Sequence, residues 1–303
     1  MHTSTTARLA LLALIWGSSF LWIKLALRGL SPAEVTFGRL ILGAAVLFVI
    51  AAVRRSPLPR SPALWAHMSV AALFGNAAPY LLFALGEQQV SSSTAGILNA
   101  TTPLWTLVVA MATRHERTVT PARLAGLIVG FGGALLIFSP WHSGSELASA
   151  GGLACLGAAV SYGIAFVYMD RFIAHRGVSP VALSAGQLLI ASGFLAAGLG
   201  IDGAPSPRLG AVVSVSIAIL GLLGTGIAYI LNYSIIMSDG ATAASTVTYL
   251  LPVVAIILGV AVLGEHVSLP VLAGIALILS GVALVRKKAA AVGTADHSGR
   301  DVY

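Results

Sequence analysis

The chain alternates between long apolar runs and short polar breaks from near its start almost to its end. A helix that crosses a lipid bilayer needs about 20 mostly apolar residues. Ten runs meet or approach that length, and the breaks between them carry Ser-Pro and Thr-Pro pairs that are typical of helix boundaries. Numbered span 1 to span 10 in chain order, the predicted spans are 8–27, 33–53, 64–86, 92–113, 121–139, 148–169, 180–200, 210–236, 241–263 and 269–286.

The composition points to the same class of protein. Charged residues make up 9% of the chain and hydrophobic residues 57%, whereas a soluble domain carries about 25% charged residues. A soluble fold with so few charges would expose large apolar patches. The net charge of +7 would suit nucleic acid, but the basic residues lie in short loops without a basic stripe. We therefore expect membrane lipid around the chain and no nucleic-acid partner.

The basic residues also predict the orientation, because Lys and Arg concentrate in cytoplasmic loops. If the N-terminus is cytoplasmic, the outer segments hold only Lys24, Arg28 and Arg208, while Arg39 lies within span 2. We therefore expect both termini on the cytoplasmic side. The other basic residues then fall in inner segments: Arg8, Arg54, Arg55, Arg60, Arg114, Arg117, Arg123, Arg171, Arg176, Arg286, Lys287, Lys288 and Arg300.

The two halves of the chain resemble each other, with equivalent positions 146 to 149 residues apart. Each half holds five predicted spans, an odd number. Equivalent helices must then point in opposite directions, which is the inverted-topology repeat of secondary transporters. The matched positions include Trp16 and Tyr162, Ser31-Pro32 and Ser179-Pro180, Arg39 and Gln187, Tyr80 and Tyr229, Pro103 and Pro252, Glu116 and Glu265, and Pro121 and Pro270.

We predict an all-α integral membrane protein whose ten transmembrane helices form a five-plus-five inverted repeat. Residues 1–143 form the first five-helix unit, residues 144–288 the inverted second unit, and residues 289–303 a disordered cytoplasmic tail. A repeat of this kind places its substrate site near the membrane midplane, between the halves, and supports alternating access. We expect spans 1, 3, 4, 6, 8 and 9 to line that cavity.

The motifs resemble the EamA type of transporter in the drug/metabolite transporter superfamily, from roughly residue 8 to residue 286. This resemblance implies ten spans, a bacterial inner-membrane location, and export or exchange of small metabolites such as amino acids. It does not identify the substrate. The motifs are Trp16-Gly17-Ser18-Ser19-Phe20 with Lys24, Ser31-Pro32 leading to Arg39-Leu40, Tyr80 to Leu85 with Ser93-Thr94-Ala95, Pro103, Leu263-Gly264-Glu265, and Leu272-Ala273-Gly274.

Neutral polar and aromatic residues recur at similar depth in both halves, and we predict that they bind the substrate. Interhelical hydrogen bonding and core filling are the alternative roles for each of them. Pro103 and Pro252 are expected to bend spans 4 and 9 beside the cavity, because proline frees backbone groups of a membrane helix. The predicted substrate-binding residues are Trp16, Ser19, Asn76, Tyr80, Asn99, Trp105, Tyr162, Tyr229, Asn232, Thr248 and Tyr249.

Two cations lie nearest the hydrocarbon on the outer side, Lys24 and Arg39. Either side chain is a candidate for contact with an anionic substrate or for gating the outer mouth. The alternative for Lys24 is a side chain that reaches to the membrane surface and anchors the helix. For Arg39 the alternative is structural pairing with Glu34, with backbone carbonyls or with another helix end.

The ten carboxylates all fall at span ends, in loops or in the tail, and none lies at a span centre. The histidines are peripheral too, with His67 just inside span 3. We therefore expect a facilitator or exchanger rather than a buried proton relay, or a proton coupling that uses groups near the membrane surface. Neither a catalytic residue, a metal site nor a cofactor is predicted.

Three other functions stay open. A membrane-embedded enzyme would need a nucleophile with a base or a metal cluster, and no such constellation is present in the sequence. A flippase for lipid-like solutes would use the same repeat with a lateral opening. A structural membrane protein would contain no transport-sensitive cavity residue.

Glycines mark spans 5 and 10. Gly126 and Gly130 form a small-xxx-small pair in span 5, and Gly274 and Gly281 lie in span 10. Such residues allow two helices to approach closely. We interpret both spans as surfaces for packing or for a homodimer.

Overall fold

The computed structural model describes residues 2–116, 119–138, 147–199, 208–254 and 269–297. These ranges are helical and contain no β-strand. Within these ranges, seven helices are long and apolar enough to cross a membrane, and two further apolar helices are shorter. The seven are Thr5–Ala26, Pro32–Val53, Pro62–Gly86, Thr94–Ala112, Ala150–Ala174, Pro180–Ala197 and Ala211–Ser245, and the shorter two are Pro121–Ile137 and Leu269–Val285.

These helices coincide with predicted spans 1 to 8 and span 10. The helix Ala211–Ser245 also contains the beginning of span 9, because the chain turns sharply at Gly240, whose φ of 79° is left-handed. Residues 247–254 continue span 9 as a helix. The rest of span 9, with Leu263-Gly264-Glu265, lies outside the described residues.

The last helix is longer than the sequence analysis predicts. We expected a disordered tail from residue 289, but the helix Leu269–His297 extends past that boundary. The sequence Lys287-Lys288-Ala289-Ala290-Ala291 follows the apolar part, and lysine and alanine are strong helix formers. Residues 298–303 of the predicted tail lie outside the described part of the chain.

Serine residues begin several of the helices. Ser31 accepts a hydrogen bond from the amide of Glu34 at 3.3 Å, and a Glu34 carboxylate oxygen accepts one from the Ser31 amide at 2.7 Å. Ser61, Ser149 and Ser179 likewise accept bonds from amides three residues further on. These bonds satisfy amides that have no partner within the helix. The bond from the Ser31 amide also holds the Glu34 carboxylate at the start of span 2.

Within the described ranges, three helices contain π-helical turns, at Leu73–Ala77, Asp170–Ala174 and Leu222–Ile227. A π turn shifts the backbone hydrogen bonding and is frequent at functional sites. Two of these turns contain equivalent residues of the two halves, Gly75 and Gly224. The Gly75 carbonyl accepts the Tyr229 hydroxyl, and the Gly224 carbonyl accepts Trp16 Nε1 at 3.0 Å. The altered turns are thus joined to aromatic side chains of other spans.

Spans 5 and 10 pack on each other through glycines. A Cβ atom built on Gly126 would lie 2.8 Å from the Gly281 carbonyl oxygen, and one built on Gly133 would lie 2.6 Å from the Gly274 carbonyl oxygen. Both contacts are tighter than side chains tolerate, so the two backbones meet directly. The glycine faces are therefore occupied within one chain, and a homodimer would have to use another surface.

Two adjacent glycines of span 5 provide a matched test of this contact. We expect Gly133→Ala to lower stability by about 1 to 3 kcal/mol, because its Cβ would meet backbone atoms of span 10 that cannot move aside. Gly132→Ala places its Cβ where no atom lies within 4 Å, and should be neutral or stabilising by up to about 1 kcal/mol. Thermal unfolding of both variants in detergent measures the difference. Equal melting temperatures would contradict the close packing of spans 5 and 10.

Candidate functional site

Spans 1, 2, 3, 4, 6, 8 and 9 line an open cavity, and the space not filled by protein atoms, including the solvent at its mouth, is about 620 Å³. The predicted set of lining spans is therefore present, and span 2 joins it through Arg39. Eight of the eleven residues predicted to bind substrate line this cavity: Trp16, Ser19, Tyr80, Asn99, Tyr162, Tyr229, Asn232 and Thr248.

Aromatic rings form much of the cavity wall. The Trp16 and Tyr229 rings lie edge to face with centroids 6.4 Å apart, and Tyr80 and Tyr162 do so at the same distance. Phe83 lies 6.0 Å from Tyr162 and 5.6 Å from Phe20, again between ring centroids. Each contact joins different spans, so the rings hold one another in position. The wall offers an apolar surface with a few polar tips.

Arg39 is the one charged side chain that lines the described part of the cavity. It is 5% exposed, and its guanidinium carbon lies 3.8 Å from the centroid of the Tyr80 ring. Arg39 Nε donates to the Thr225 hydroxyl at 3.0 Å. Stacking on an aromatic face and a hydrogen bond both lower the cost of burying this cation.

No ion pair of the described residues includes Arg39. Glu34, the partner considered from the sequence, is bonded to the start of its own helix instead. Gly224 borders this space, where a Cβ would lie 3.2 Å from Ser19 Oγ and 3.8 Å from an Arg39 terminal nitrogen. The guanidinium therefore faces the cavity as a fixed positive charge, able to bind a carboxylate through two parallel hydrogen bonds.

Two buried polar atoms of the cavity wall also have no hydrogen-bond partner among the described residues, the Tyr80 hydroxyl and Asn232 Oδ1. Tyr80 is 3% exposed and Asn232 is 1% exposed. A buried polar group without a partner costs stability, and native proteins contain few of them. With Arg39, these atoms give the cavity a positive charge, a hydroxyl and an amide oxygen that a polar solute can engage.

Asn76, one of the predicted substrate-binding residues, lies within a π turn. In a regular helix it would share a face with Tyr80, four residues further on, but the π turn Leu73–Ala77 interrupts that helix. Asn76 Oδ1 accepts a hydrogen bond from Gln187 Nε2 at 2.6 Å, and Gln187 Oε1 accepts the Tyr233 hydroxyl. Asn76 therefore joins spans 3, 7 and 8 and does not line the cavity.

Trp105 and Tyr249 also lie away from the cavity. Trp105 Nε1 donates to the Thr101 hydroxyl in its own span at 3.2 Å, and its backbone packs on Gly163. Tyr249 is fully buried, and its hydroxyl donates to the Leu127 carbonyl of span 5 at 3.0 Å. Tyr249 thus bonds a neighbouring helix and Trp105 bonds its own helix, which are the structural roles considered as their alternative.

Lys24 does not line the cavity either. Its ammonium donates to the carbonyls of Glu87 at 2.7 Å and Val90 at 3.0 Å. These carbonyls follow the end of span 3, so Lys24 joins span 1 to a neighbouring helix end. Gating or anion contact by this side chain stays a prediction that these bonds do not support.

The predicted helix-bending prolines lie beside interrupted helices. The helices Ser92–Asn99 and Thr102–Ala112 are separate, and Pro103 follows the break. In the second half, the helix Ala228–Ser245 ends and residues 247–254 continue, with Pro252 inside that segment. Each break lies next to a residue that lines the cavity, Asn99 or Thr248.

Sequence reasoning missed part of the site. Phe20, Ile23, Phe166, Met169 and Leu251 also line the cavity, and none of them was among the predicted substrate-binding residues, although Phe20 belongs to the motif that begins with Trp16. It also missed the burial of Asp170, which is 8% exposed although it lies at a span end. Among the described residues no group of three or more His, Cys, Asp or Glu side chains is arranged to hold a metal ion.

Known proteins resemble this chain over nearly its whole length. YvbV, an uncharacterized transporter of Bacillus subtilis (strain 168), is 27% identical over 297 residues that cover 96% of each chain. A probable terminal-alkyne amino-acid exporter of Streptantibioticus cattleyicolor is 28% identical over 284 residues, 92% of each chain. A solved crystal structure of a protein shares the fold with a TM-score of 0.74 at 22% identity, covering 96% of this chain and 99% of that one.

The sequence pattern of the EamA-like transporter family matches the chain twice, over residues 6–139 and 149–287. The two matches include every span that contributes to the cavity. The chain therefore belongs to the EamA-like transporter family, within the drug/metabolite transporter superfamily, and is a membrane transporter rather than an enzyme.

Proposed function

We propose that this transporter moves small amphipathic metabolites that carry a carboxylate, such as amino acids, and that the cavity is their binding site. The observation that carries the proposal is the buried Arg39 guanidinium, which lines the cavity without an ion-pair partner among the described residues. A buried charge is normally paired. A substrate carboxylate is the counter-ion that the guanidinium fits best.

The aromatic rings supply the second half of the recognition. An apolar side chain of the substrate would contact Trp16, Tyr162 and Phe83. These rings would bury the apolar surface of that side chain. Asn232 Oδ1 would accept a hydrogen bond from a donor group of the substrate, because it has no partner among the described residues. The relative named as a probable terminal-alkyne amino-acid exporter supports a substrate of this class.

The proposed mechanism is alternating access between two inverted five-helix units, residues 1–143 and 144–288, in a ten-span protein. Three findings support this architecture. The family pattern matches each half separately, the π turns of spans 3 and 8 contain equivalent glycines, and cavity residues come from both halves. The two units would close alternately on one side of the substrate and then on the other.

The proposed setting is the bacterial inner membrane, with both termini in the cytoplasm and lipid around the apolar outer surface. The concentration of Arg and Lys in alternate loops supports this orientation. Large side chains such as Val49, Ile128 and Leu279 are exposed on the outer helix faces, where lipid would cover them. A homodimer, if formed, would have to use such a surface.

Solute counterflow in proteoliposomes tests whether the protein transports amino acids. We expect labelled amino acids to exchange across the membrane without any proton gradient, because no carboxylate lines the described part of the cavity. Vesicles without protein provide the control. Uptake that requires a proton gradient would contradict the facilitator mechanism, while the absence of uptake for every carboxylated solute would contradict the substrate class.

Substitution of Arg39 tests the proposed carboxylate contact. We expect Arg39→Gln to reduce transport of amino acids by about 10- to 100-fold, since a hydrogen bond to a charged group contributes about 1.5 to 3 kcal/mol. Arg39→Lys should recover part of the loss, because lysine keeps the charge and loses the two parallel bonds. Counterflow of an amino acid and of the corresponding amino alcohol measures the selectivity.

The amino alcohol, which lacks the carboxylate, distinguishes a lost carboxylate contact from a folding defect. Misfolding would lower the transport of both solutes together. Arg28→Gln provides a matched control, since Arg28 is exposed and does not line the cavity. If the ratio of the counterflow rates of the two solutes were unchanged in Arg39→Gln, Arg39 would not bind the carboxylate.

The two equivalent tyrosines should respond differently to the same small change. Tyr229 donates its hydroxyl to the Gly75 carbonyl, whereas the Tyr80 hydroxyl has no partner among the described residues. We expect Tyr229→Phe to lower thermal stability, and Tyr80→Phe to change substrate affinity at nearly constant stability. Tyr80→Ala and Tyr229→Ala should both impair counterflow while the protein still inserts. Wild-type counterflow rates in both alanine variants would contradict a role of these tyrosines in substrate binding.

A further inference from the structure

A second pocket lies where the loop between spans 2 and 3 meets the loop between spans 6 and 7. The space not filled by protein atoms, including the solvent at its mouth, is about 610 Å³. The first half of the chain contributes Arg60, Ala63 and His67 to its lining, and the second half contributes Arg176 and Val178. None of its lining residues also lines the cavity. We call it the basic pocket.

The basic pocket carries positive charge without a matching negative one. Arg60 and Arg176 are exposed, and arginine is not deprotonated in proteins. Arg176 Nε donates to the Phe172 carbonyl of its own segment at 3.2 Å. Neither arginine belongs to an ion pair of the described residues, and no carboxylate in the described part of the chain lines the pocket. An anionic ligand would supply the missing counter-charge.

The beginning of span 3 adds to this charge. A helix N-terminus favours an anion, because its first amides lack partners within the helix and its dipole is positive there. Span 3 begins at Pro62, and both Ser61 and Ala63 line the pocket. The Ser61 hydroxyl accepts the amide of Leu64 at 3.4 Å. The helix dipole therefore acts on the same space as the two arginines.

Contacts between the two halves hold the walls of the pocket together. The Ser56 and Ser179 hydroxyls bond each other, which joins the loop before span 3 to the start of span 7. His67 of span 3 lies 2.8 Å from the Tyr168 hydroxyl, and its ring stacks on Phe172 with centroids 5.0 Å apart. The segments that carry Arg60 and Arg176 are thus kept next to each other.

The position of the pocket indicates which anion is near it. The pocket lies at the beginning of a span, where lipid phosphates meet the protein, and Trp65 lies beside it with Nε1 donating to the Pro59 carbonyl at 2.8 Å. Tryptophan is enriched at the surface between membrane and water. Ala63, Ala66 and Leu73 are exposed along span 3 at helical spacing. An acyl chain could therefore run from the pocket along this face.

We propose that the basic pocket binds the headgroup of an anionic phospholipid. The lipid phosphate contacts Arg60 and Arg176, and an acyl chain lies along the exposed face of span 3. Basic pockets between transmembrane helices are suited to such headgroups. Because the two arginines belong to different halves, one bound headgroup joins the halves at this point. The pocket takes up lipid whichever solute the cavity transports.

Native mass spectrometry of the whole protein in detergent measures the binding. The probes are dioctanoyl phosphatidylglycerol, which is anionic, and dioctanoyl phosphatidylcholine, which has the same phosphate and acyl chains but no net charge. We expect the protein to bind phosphatidylglycerol more tightly than phosphatidylcholine. Arg60→Gln and Arg176→Gln should each weaken the binding of phosphatidylglycerol about fivefold, because each removes one charge from the pocket.

Arg54→Gln is the matched control for these variants. Arg54 is exposed near the same loop but does not line the pocket. This variant removes the same charge from the protein and should bind phosphatidylglycerol as the wild type does. The melting temperatures without lipid should be the same for Arg54→Gln and Arg60→Gln, since both side chains are exposed. If Arg176→Gln fails to fold, Arg60→Gln still decides the outcome.

Three results would overturn the proposal. The first is equal affinity of the wild type for the two lipids, and the second is an equal loss of affinity in Arg54→Gln and Arg60→Gln. The third is displacement of phosphatidylglycerol by an equal concentration of inorganic phosphate, which would identify the ligand as free phosphate instead of lipid. No transported solute is present, so these outcomes are distinct from success or failure of the counterflow experiments.

Discussion

A backbone carbonyl in the hydrocarbon must find its hydrogen-bond partner inside the protein, and this constraint organises the centre of the molecule. The π turns of spans 3 and 8 change the bonding of the Gly75 and Gly224 carbonyls, which accept Tyr229 and Trp16. Each bond fixes a large ring of one span against another span. The cavity wall is therefore built from side chains that also satisfy the backbone.

The equivalent positions 39 and 187 show how two similar halves produce one charged site. Arg39 bonds Thr225 of span 8, and Gln187 bonds Asn76, the equivalent of Thr225, in span 3. Each side chain thus joins the second span of its own half to a π turn of the other half. Gln187 is neutral and satisfied in the core, whereas Arg39 brings a positive charge to the cavity. The two residues therefore make equivalent contacts between the halves, but only the residue of the first half, Arg39, carries a charge.

Much of the fold and of the site follows from the sequence, because the length of each apolar run and the repeated register can be read from the order of the residues. Cavity residues such as Tyr80 and Tyr229 were predicted since their depth recurs in both halves. Asn76 does not line the cavity because it lies within the π turn Leu73–Ala77, which changes the residues that share a helix face, and no residue type marks such a turn unambiguously. Tyr249 does not line the cavity, because tertiary packing decides which neighbour a helix face meets, and here the neighbours are Gly130 and Leu127.

The cost of burying charge explains why the two polar regions differ in construction. At the cavity, Arg39 is held by a ring face and a hydroxyl, which leaves its terminal nitrogens for a partner of opposite charge. At the end of the bundle, Asp170 has three donors and needs no further partner. A partly satisfied cation suits a site that binds and releases a solute, because the solute completes its bonding. A fully satisfied carboxylate suits a contact between spans. Separating those spans would leave the carboxylate with fewer partners, so its hydrogen bonds favour the packed arrangement.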